Sequence, residues 1–370
     1  MDKNIVYESG ETLYQKVKQE ILELLAELPL NSRIPTRNDM AERFAVARTT
    51  IDRAVSELIG EGYLYSKVGS GTYIVSHNPV AVPSSGALSL WGILLPSVTD
   101  YSFPELIRGA EDVCSEANVS LVLCNTDNSV AKQERYIEKL LTIGVSGIIA
   151  VPTVDDSFVA QKHFADLAAD GMSIVFCTRG NESGRIPKIV TNDFCAADMA
   201  VSHIIDMGWK KPAFISKKYF QTVEQRYAGY LSSLSKYGIR ADERFICLEC
   251  DPDDGDTVYK RAAEMLAQPD RPDSFFCFND ETAIEVYRAI EDAGLRVGED
   301  IGVVGCDDTS ICEELRPSLT SVHQPSYEIG WRAAKLVLQM SSGAPSLQRQ
   351  VVILEPSLTV RESCGKGKRT

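Results

Sequence analysis

The side chains able to do chemistry fall into two groups, and only one assembles into a pattern. Between residues 33 and 53, Arg33, Arg37, Arg43, Arg48 and Arg53 stand against Asp39, Glu42 and Asp52 alone. Arg48, Thr49 and Thr50 open a helix-like stretch. There, free backbone N–H groups, two hydroxyls and a guanidinium point at one place, which suits a phosphate. Arginine also fits a guanine edge or a phosphate in two-pronged fashion. A solvated helix start with ordinary surface arginines would have the same composition. The second group, histidines and cysteines, stays scattered. His77, His163, His203 and His323 show no H-x-x-x-H or H-E-x-x-H spacing, and Cys247 and Cys250 form a C-x-x-C with no second pair to complete a zinc site. Most of the ten cysteines sit in apolar runs (LVLCN, IVFCT, SFFCF, VVGCD), as small buried hydrophobes do in a reducing cytoplasm.

Motifs for enzymatic work are missing. WGILLPSVTD stands where G-x-G-x-x-G would follow the first strand of a dinucleotide-binding unit, and neither G-x-x-x-x-G-K-[ST] nor G-x-S-x-G occurs. With no acid/base pair and no metal spacing, neither a cofactor, a metal nor a catalytic residue is expected, and the chain does not read as an enzyme.

The elements that position these residues follow from composition and periodicity. A chain of 370 residues, 44% hydrophobic and 24% charged, allows two to three domains and excludes disordered and collagen-like classes. The net charge of −14 repels phosphate on average, yet residues 1–78 hold 9 basic against 11 acidic side chains, so most of the excess lies in the remainder. The start, MDKNIVYESGETLYQKVKQE, lacks the apolar core of an export signal, and runs such as GIIAVP fall far short of the ~18 residues of a spanning helix. A cytoplasmic protein with no membrane partner is expected.

Leu13, Val17, Ile21, Leu24, Leu25 and Leu28 predict an amphipathic helix over 11–28, ended by Pro29. Thr36 and Asp39 resemble a capping box opening a short helix through Phe44. Ile51, Val55, Leu58 and Ile59 predict a third, closed by Gly60 and Gly62, and YLYSKV and TYIV around Gly69-Ser70-Gly71 read as a hairpin. Three helices and a hairpin outline a winged helix-turn-helix over residues 1–75. Residues 76–88 (SHNPVAVPSSGAL) read as a linker. Over 89–362, the apolar runs WGILLP, VSLVLC, GIIAVP, SIVFC, PAFIS, RFICL, SFFCF, IGVVGC and VVILEP alternate with helical patterns such as PELIRGAEDVCSEA and AKQERYIEKLLTIG. That rhythm predicts parallel sheets in an α/β architecture, long enough for two lobes with a ligand cleft between them.

The stretch LYQKVKQEILELL…SRIPTRNDMAERFAVARTTIDRAVSELIGEGYLYSKVGSGTYIV resembles the DNA-binding domain of GntR-type transcriptional regulators, with RIPT, ARTTI, EGYL and GSGTY in order. The resemblance implies a recognition helix carrying Arg48, Thr49 and Thr50 in the major groove of operator DNA, flanked by Arg37, Asn38 and Arg53, and a wing of Lys67, Gly69, Ser70 and Gly71 along the minor groove. Three positions depart from the family. Ala47 replaces the usual Ser cap, a loss of roughly 1 kcal/mol; Asn38 stands where an Arg is common, with Arg37 beside it as substitute; and Asp52 stands at another frequent Arg.

From Leu90 to about Val360 the chain resembles the effector-binding domain of LacI-type regulators, itself related to periplasmic sugar-binding proteins. GILLPSVTDYSFPELIRGAED, IVTNDFCAADMAVSHIIDMGWKKPAFI, QRYAGYLSSLSKYGI and FFCFNDETAIEVYRAIEDAGLRVGEDIGVVGCDD carry the match. A GntR head on a LacI-type body is the arrangement of the arabinose-repressor-like GntR subfamily. It implies a ligand set of Ser102, Phe103, Thr178, Arg179, Thr222, Arg226, Asn279 and Asp307, with Asp193 a weaker candidate and Asp280 structural. In this set Arg226 clamps adjacent hydroxyls, Asp307 accepts their protons, Asn279 donates and accepts, and Phe103 stacks on the ligand. The expected function is a homodimeric repressor of sugar uptake or catabolism genes, released from its operator by a small sugar. LVLQM (336–340) and the first helix of the body are its candidate dimer contacts. The alternative is a cytoplasmic sugar-binding protein or sugar-acting enzyme without a transcriptional role.

Overall fold

A computed structural model describes residues 13–365 apart from 27, 30–31, 61–62, 68–70, 75–88, 154–158, 181–185, 218–220, 251–256 and 342–349. The linker stretch 76–88 and the wing-tip residues Gly69 and Ser70 lie outside the described residues. The chain divides into two compact units, Met1–Leu88 and Ser89–Thr370.

The first unit holds α1 (Leu13–Ala26), α2 (Arg37–Arg43), α3 (Arg48–Gly60), β1 (Leu64–Lys67) and β2 (Gly71–Ile74). The expected apolar stripes meet in one core: Val17, Ile21 and Leu25 of α1 pack with Met40 of α2 and with Ile51, Val55 and Leu58 of α3. The capping box forms. Thr36 Oγ1 accepts the Asp39 N–H (3.3 Å) and Asp39 Oδ2 accepts the Thr36 N–H (3.0 Å). Ala45 takes a left-handed conformation (φ 53°) in the turn between α2 and α3, which makes the sharp reversal of a helix-turn-helix. β1 and β2 pair antiparallel, Leu64 opposite Ile74, and an isolated bridge from Arg33 to Tyr73 extends the hairpin on its other side.

The second unit is built on two six-stranded sheets. Its elements in chain order are β3 (Ser89–Leu95), α4 (Phe103–Glu116), β4 (Val119–Asn125), α5 (Val130–Thr142), β5 (Gly147–Ala150), α6 (Val159–Ala169), β6 (Ser173–Cys177) and β7 (Lys188–Thr191). Next come α7 (Asp193–Asp206), β8 (Pro212–Ile215), α8 (Gln221–Lys236), β9 (Ile246–Cys247), α9 (Thr257–Leu266), β10 (Ser274–Cys277), α10 (Asp280–Asp292) and β11 (Gly302–Asp307). The last are α11 (Ile311–Glu314), β12 (Thr320–His323), α12 (Ser326–Ser341), β13 (Val351–Leu354) and β14 (Ser357–Thr359).

One sheet runs β13-β7-β6-β5-β3-β4, all parallel, and the other β14-β12-β11-β10-β8-β9, parallel except for β14. Central strands β5, β6, β8 and β10 are buried at every residue, as strands covered by helices on both faces must be. The chain passes between the sheets three times, after β7, β12 and β13. Each sheet with its helices forms a lobe, and a ligand touching both lobes bears on these three crossings.

Of the expected dimer contacts, LVLQM must be corrected. Leu336 and Val337 are buried in the first lobe's core, and Leu338 and Met340 pack against it, because α12 lays this apolar face on the sheet and on α4. α12 and α4 nearly touch backbone to backbone. A Cβ on Gly330 would stand 1.9 Å from the Leu106 carbonyl oxygen, and one on Gly109 would stand 2.0 Å from that of Tyr327. Gly330→Ala is therefore expected to destabilise the fold by about 1–3 kcal/mol, the usual cost of overpacking. Urea unfolding measures it, and an unchanged midpoint would contradict the close approach.

Candidate functional site

Both sheets send the C-terminal ends of their strands toward one cavity of about 620 Å³, the position at which open α/β sheets take ligands. Loops after β3, β5 and β6 bring Ser102, Phe103, Val151, Thr178 and Arg179 from the first lobe. From the second lobe, α8 brings Thr222 and Arg226, and the ends of β10 and β11 bring Asn279 and Asp307. All eight expected ligand residues thus line the same space, together with Asp193. Positive φ at Thr178 (59°) and Asp307 (116°) places backbone strain at the two strand ends that face it.

Arg226 is the keystone. Its side chain is 4% exposed; Nε donates to Asp193 Oδ1 at 2.8 Å, Nη1 donates to the Phe278 carbonyl, and Nη2 lies 4.0 Å from Asp307 Oδ1. The guanidinium also stacks on the Phe278 ring at 4.4 Å. Burial pushes the Asp307 carboxyl well above the usual carboxylate range, with Arg226 pulling the other way, while Gln324 Nε2 donates to its Oδ1. Asp193 is likewise raised by burial and drawn back by Arg226. One guanidinium shared by two buried carboxyls leaves Asp307 the less compensated and the more ready to accept a ligand hydroxyl.

Arg179 faces the cavity from the first lobe. Nε donates to the Pro152 carbonyl (2.8 Å) and Nη2 to Asn128 Oδ1 (2.9 Å). Burial lowers its pKa to about 10, with Asp100 opposing, so it stays cationic at neutral pH. Ser102 N–H and Oγ both donate to Asp100 Oδ1, at 2.9 and 2.7 Å, which fixes the loop ahead of Phe103. Phe103 is 8% exposed and serves the core as well as the cavity wall.

Asn279 differs from expectation. Its Oδ1 caps α10 by accepting from Thr282 N (2.9 Å) and Oγ1 (2.6 Å), so only its Nδ2 donor remains for a ligand. Asp280 is structural, as expected: it accepts from Thr309 N and Oγ1 and from Ser321 Oγ, tying α10 to the segment after β11 and to β12. Sequence reasoning missed Asp100, Asn128, Lys217, Phe278, Glu281, Glu285 and Gln324 in the cavity wall. The signal that could have found Asn128, Lys217, Phe278 and Gln324 is their place just after a strand, the rule that located Asn279 and Asp307.

In the first unit, α3 presents Arg48, Thr49 and Arg53 to solvent, with Thr50 half-buried behind them. Asn38 of α2 is exposed. Arg37 is engaged: its Nε lies 2.8 Å from Asp52 Oδ1 and its Nη1 donates to Thr72 Oγ1 at 3.4 Å, linking α2, α3 and β2. The expectation that Arg37 simply substitutes for a missing DNA-facing arginine must therefore be revised, since much of its fork is committed to the protein. Arg48 reaches the same Asp52 at 3.7 Å while keeping 63% of its side chain exposed. Lys67 ends β1, and Gly71 opens β2 at φ 125°, a conformation that favours glycine, with Arg33 Nε 2.5 Å from where a Cβ would stand.

All ten cysteines are free and all but Cys195 are buried; Cys247 and Cys250 lie with sulfurs 2.9 Å apart. Among the described residues no group of three or more His, Cys, Asp or Glu could hold a metal, and no helix is long and apolar enough to cross a membrane.

Residues 10–74 match the family of bacterial regulatory proteins, gntR family, and residues 201–364 match the periplasmic binding protein-like domain. The chain is 27% identical over 356 residues to an arabinose metabolism transcriptional repressor of Geobacillus stearothermophilus, covering 95% of this chain and 97% of the relative. It is 28% identical over 339 residues to the HTH-type transcriptional repressor PurR of Photobacterium profundum, covering 89% and 98%. Among solved structures, a LacI family transcriptional regulator from Enterococcus faecium with bound ribose superposes with a TM-score of 0.62 at 28% identity, covering 75% of this chain and 98% of that one. These relatives are transcriptional regulators and not enzymes. The chain thus joins a gntR-family winged helix-turn-helix domain to a periplasmic binding protein-like domain, and over nearly its whole length it is similar to transcriptional repressors.

Proposed function

We propose that the chain is a cytoplasmic, homodimeric repressor of sugar uptake or catabolism genes, and that a small sugar in the cavity releases it from its operator. The observation that carries this reading is the cavity itself. Its 620 Å³ would hold a mono- or disaccharide, and its wall combines a buried guanidinium, a buried carboxyl, an amide donor and an aromatic edge contributed by both lobes. Hydroxyl pairs match the planar fork of Arg226, hydroxyl protons match Asp307, and the apolar face of a sugar ring matches Phe103. The arabinose-related name of one relative and the ribose in a solved neighbour support the same chemical class. Arg48, Thr49 and Thr50 are assigned to the major groove, with Asn38 and Arg53 beside them and Lys67, Gly69, Ser70 and Gly71 in the wing.

A sugar held by both sets of strand ends favours one placement of the two lobes over others, with the crossings after β7, β12 and β13 absorbing the change. Release from DNA then requires that the sugar bind the low-DNA-affinity state better, and DNA must weaken sugar binding by the same factor. A sugar-binding protein without a transcriptional role is disfavoured by the gntR-family match of residues 10–74.

Thermal shift of the full chain against pentoses, hexoses, uronic acids, disaccharides and phosphosugars tests the ligand class. A ligand at a hundred times its Kd stabilises by ~2.7 kcal/mol, and at least one sugar is expected to raise the melting temperature accordingly. A panel that leaves the melting temperature unmoved would contradict a sugar effector.

A further inference from the structure

The C-x-x-C pair belongs neither to the cavity wall nor to the winged head, yet it differs from every other cysteine of the chain. Cys247 ends β9, and Cys250 follows it outside any helix or strand. Their sulfurs lie 2.9 Å apart, about 0.9 Å beyond the length of a disulfide bond. Both are buried without being sealed: they keep 8% and 4% of their surface exposed, whereas Cys177, Cys277, Cys306 and Cys312 keep 0%. Their surroundings give them different roles. The Cys247 thiol is held below the ordinary range first by its hydrogen bond from Cys250, with burial opposing and the Arg261 guanidinium assisting. Cys250, the donor of that bond, is pushed far up, and burial adds to the rise. Burial raises the eight others, including half-buried Cys195, where Glu355 and Asp198 add to it. A thiol of low pKa that reaches the surface beside a second thiol is the arrangement of redox-responsive cysteines in a reducing compartment.

We propose that Cys247 and Cys250 are a peroxide-reactive dithiol in which Cys247 attacks, Cys250 resolves, and the disulfide they form shifts the adjoining wall of the cavity. The Cys247 thiolate attacks one oxygen of hydrogen peroxide. The S–O bond forms, the O–O bond breaks, and the departing hydroxide leaves as water with the proton that Cys247 gave up. The Cys250 sulfur then attacks the Cys247 sulfur, forming the S–S bond and breaking the S–O bond. The expelled hydroxide takes the Cys250 proton and leaves as a second water. The two thiols lose two electrons and one peroxide gains them. Backbone hydrogen bonds join the pair to the cavity. Ser216 N–H donates to the Cys247 carbonyl (2.8 Å), and Cys250 N–H donates to the Lys217 carbonyl (3.2 Å). Lys217 lines the cavity and lies 3.6 Å from Glu285, another wall residue. Drawing the two sulfurs together therefore pulls on the segment that bears Lys217.

Treating the reduced full chain with hydrogen peroxide, alkylating the remaining thiols with iodoacetamide and digesting with trypsin tests the chemistry. Both cysteines fall in the tryptic peptide 245–260. After peroxide this peptide is expected to be lighter by two hydrogens and to escape alkylation, and dithiothreitol is expected to restore both thiols. Cys250→Ser is expected to stop the reaction at a sulfenic acid on Cys247 that dimedone traps, and Cys247→Ser to leave Cys250 unoxidised; the parent measurement stands without either variant. Hydrogen–deuterium exchange of the parent chain tests the link to the cavity. Oxidation is expected to change exchange in the peptide bearing Ser216 and Lys217 while leaving α1 and α3 unchanged. A peptide 245–260 that stays fully alkylated, or oxidation that falls on Cys195 first, would overturn the dithiol. Unchanged exchange at Ser216 and Lys217 in the oxidised chain would overturn its effect on the cavity.

Discussion

Arg226→Ala is expected to abolish measurable sugar binding and to cost the effector domain about 3–5 kcal/mol of stability, the size of effect seen when one partner of a buried ion pair is removed. The side chain is 4% exposed and is bonded through Nε to an equally buried Asp193, with Asp307 4.0 Å away on the other side. Without the guanidinium both carboxyls remain buried with no cation, and the Phe278 carbonyl and ring lose their donor and their cation. The sign of the pH response follows. Asp193 and Asp307 already have raised pKa values in the folded protein because burial disfavours their charge, and Arg226 opposes that rise. Its removal raises them further. A carboxyl whose folded pKa exceeds its unfolded value favours the folded state when protonated, and that contribution is lost as pH rises. The variant should therefore recover stability relative to the parent chain on acidification from neutral pH. Adding Asp193→Asn should restore part of the loss at neutral pH, because it removes one of the stranded charges. Urea unfolding at two pH values and calorimetry with the sugar found by thermal shift measure all four effects. A variant with parental stability and affinity would show that Arg226 neither holds the cavity together nor touches the ligand.

Arg48→Ala is expected to reduce operator affinity by about 2–6 kcal/mol, taking about 1–3 kcal/mol for a base contact in each of the two heads of the proposed dimer. Arg48 begins α3 with 63% of its side chain in solvent, and its only described ion pair, to Asp52 at 3.7 Å, is of the exposed i,i+4 kind that contributes little to stability. The substitution should leave the melting temperature and sugar affinity unchanged, since the cavity lies wholly in the other unit. Fluorescence anisotropy with promoter DNA reads the effect. An unaltered titration would remove Arg48 from the DNA-contacting set.

Much of this was legible in the sequence, for physical reasons that also explain what was not. The apolar runs that became β3, β5, β6, β8, β10 and β11 announce themselves because strands buried on both faces tolerate little else. The Thr36–Asp39 capping box is local, so four consecutive residues specify it. β7, β12 and β14 were not picked out as strands. β12 reads TSVH, and its first two side chains are buried only because partners distant in sequence satisfy them: Thr320 N–H bonds Ser363 Oγ, Thr320 Oγ1 accepts the Arg361 N–H, and Ser321 bonds Asp280. No local pattern carries that information. The same holds in the site. Residues at strand ends could be assigned to the cavity, whereas the commitment of Arg37 to Asp52 and Thr72, and the facing of Asp100 and Glu281 from opposite lobes, exist only once the chain has folded. The capping role of Asn279 lies between these extremes, since an Asn three residues before a Thr at a helix start is a local cap signal.

The central claim, that a sugar in the cavity controls the grip of the winged head on DNA, is tested most directly by titrating the full chain onto fluorescently labelled DNA from the promoter of its own gene, with and without saturating sugar identified by thermal shift. The account predicts that sugar raises the Kd for that DNA by roughly 5–150-fold, equivalent to a coupling of about 1–3 kcal/mol, and that DNA weakens sugar binding by the same factor. A DNA affinity that stays the same in the presence of a sugar shown to bind would contradict it.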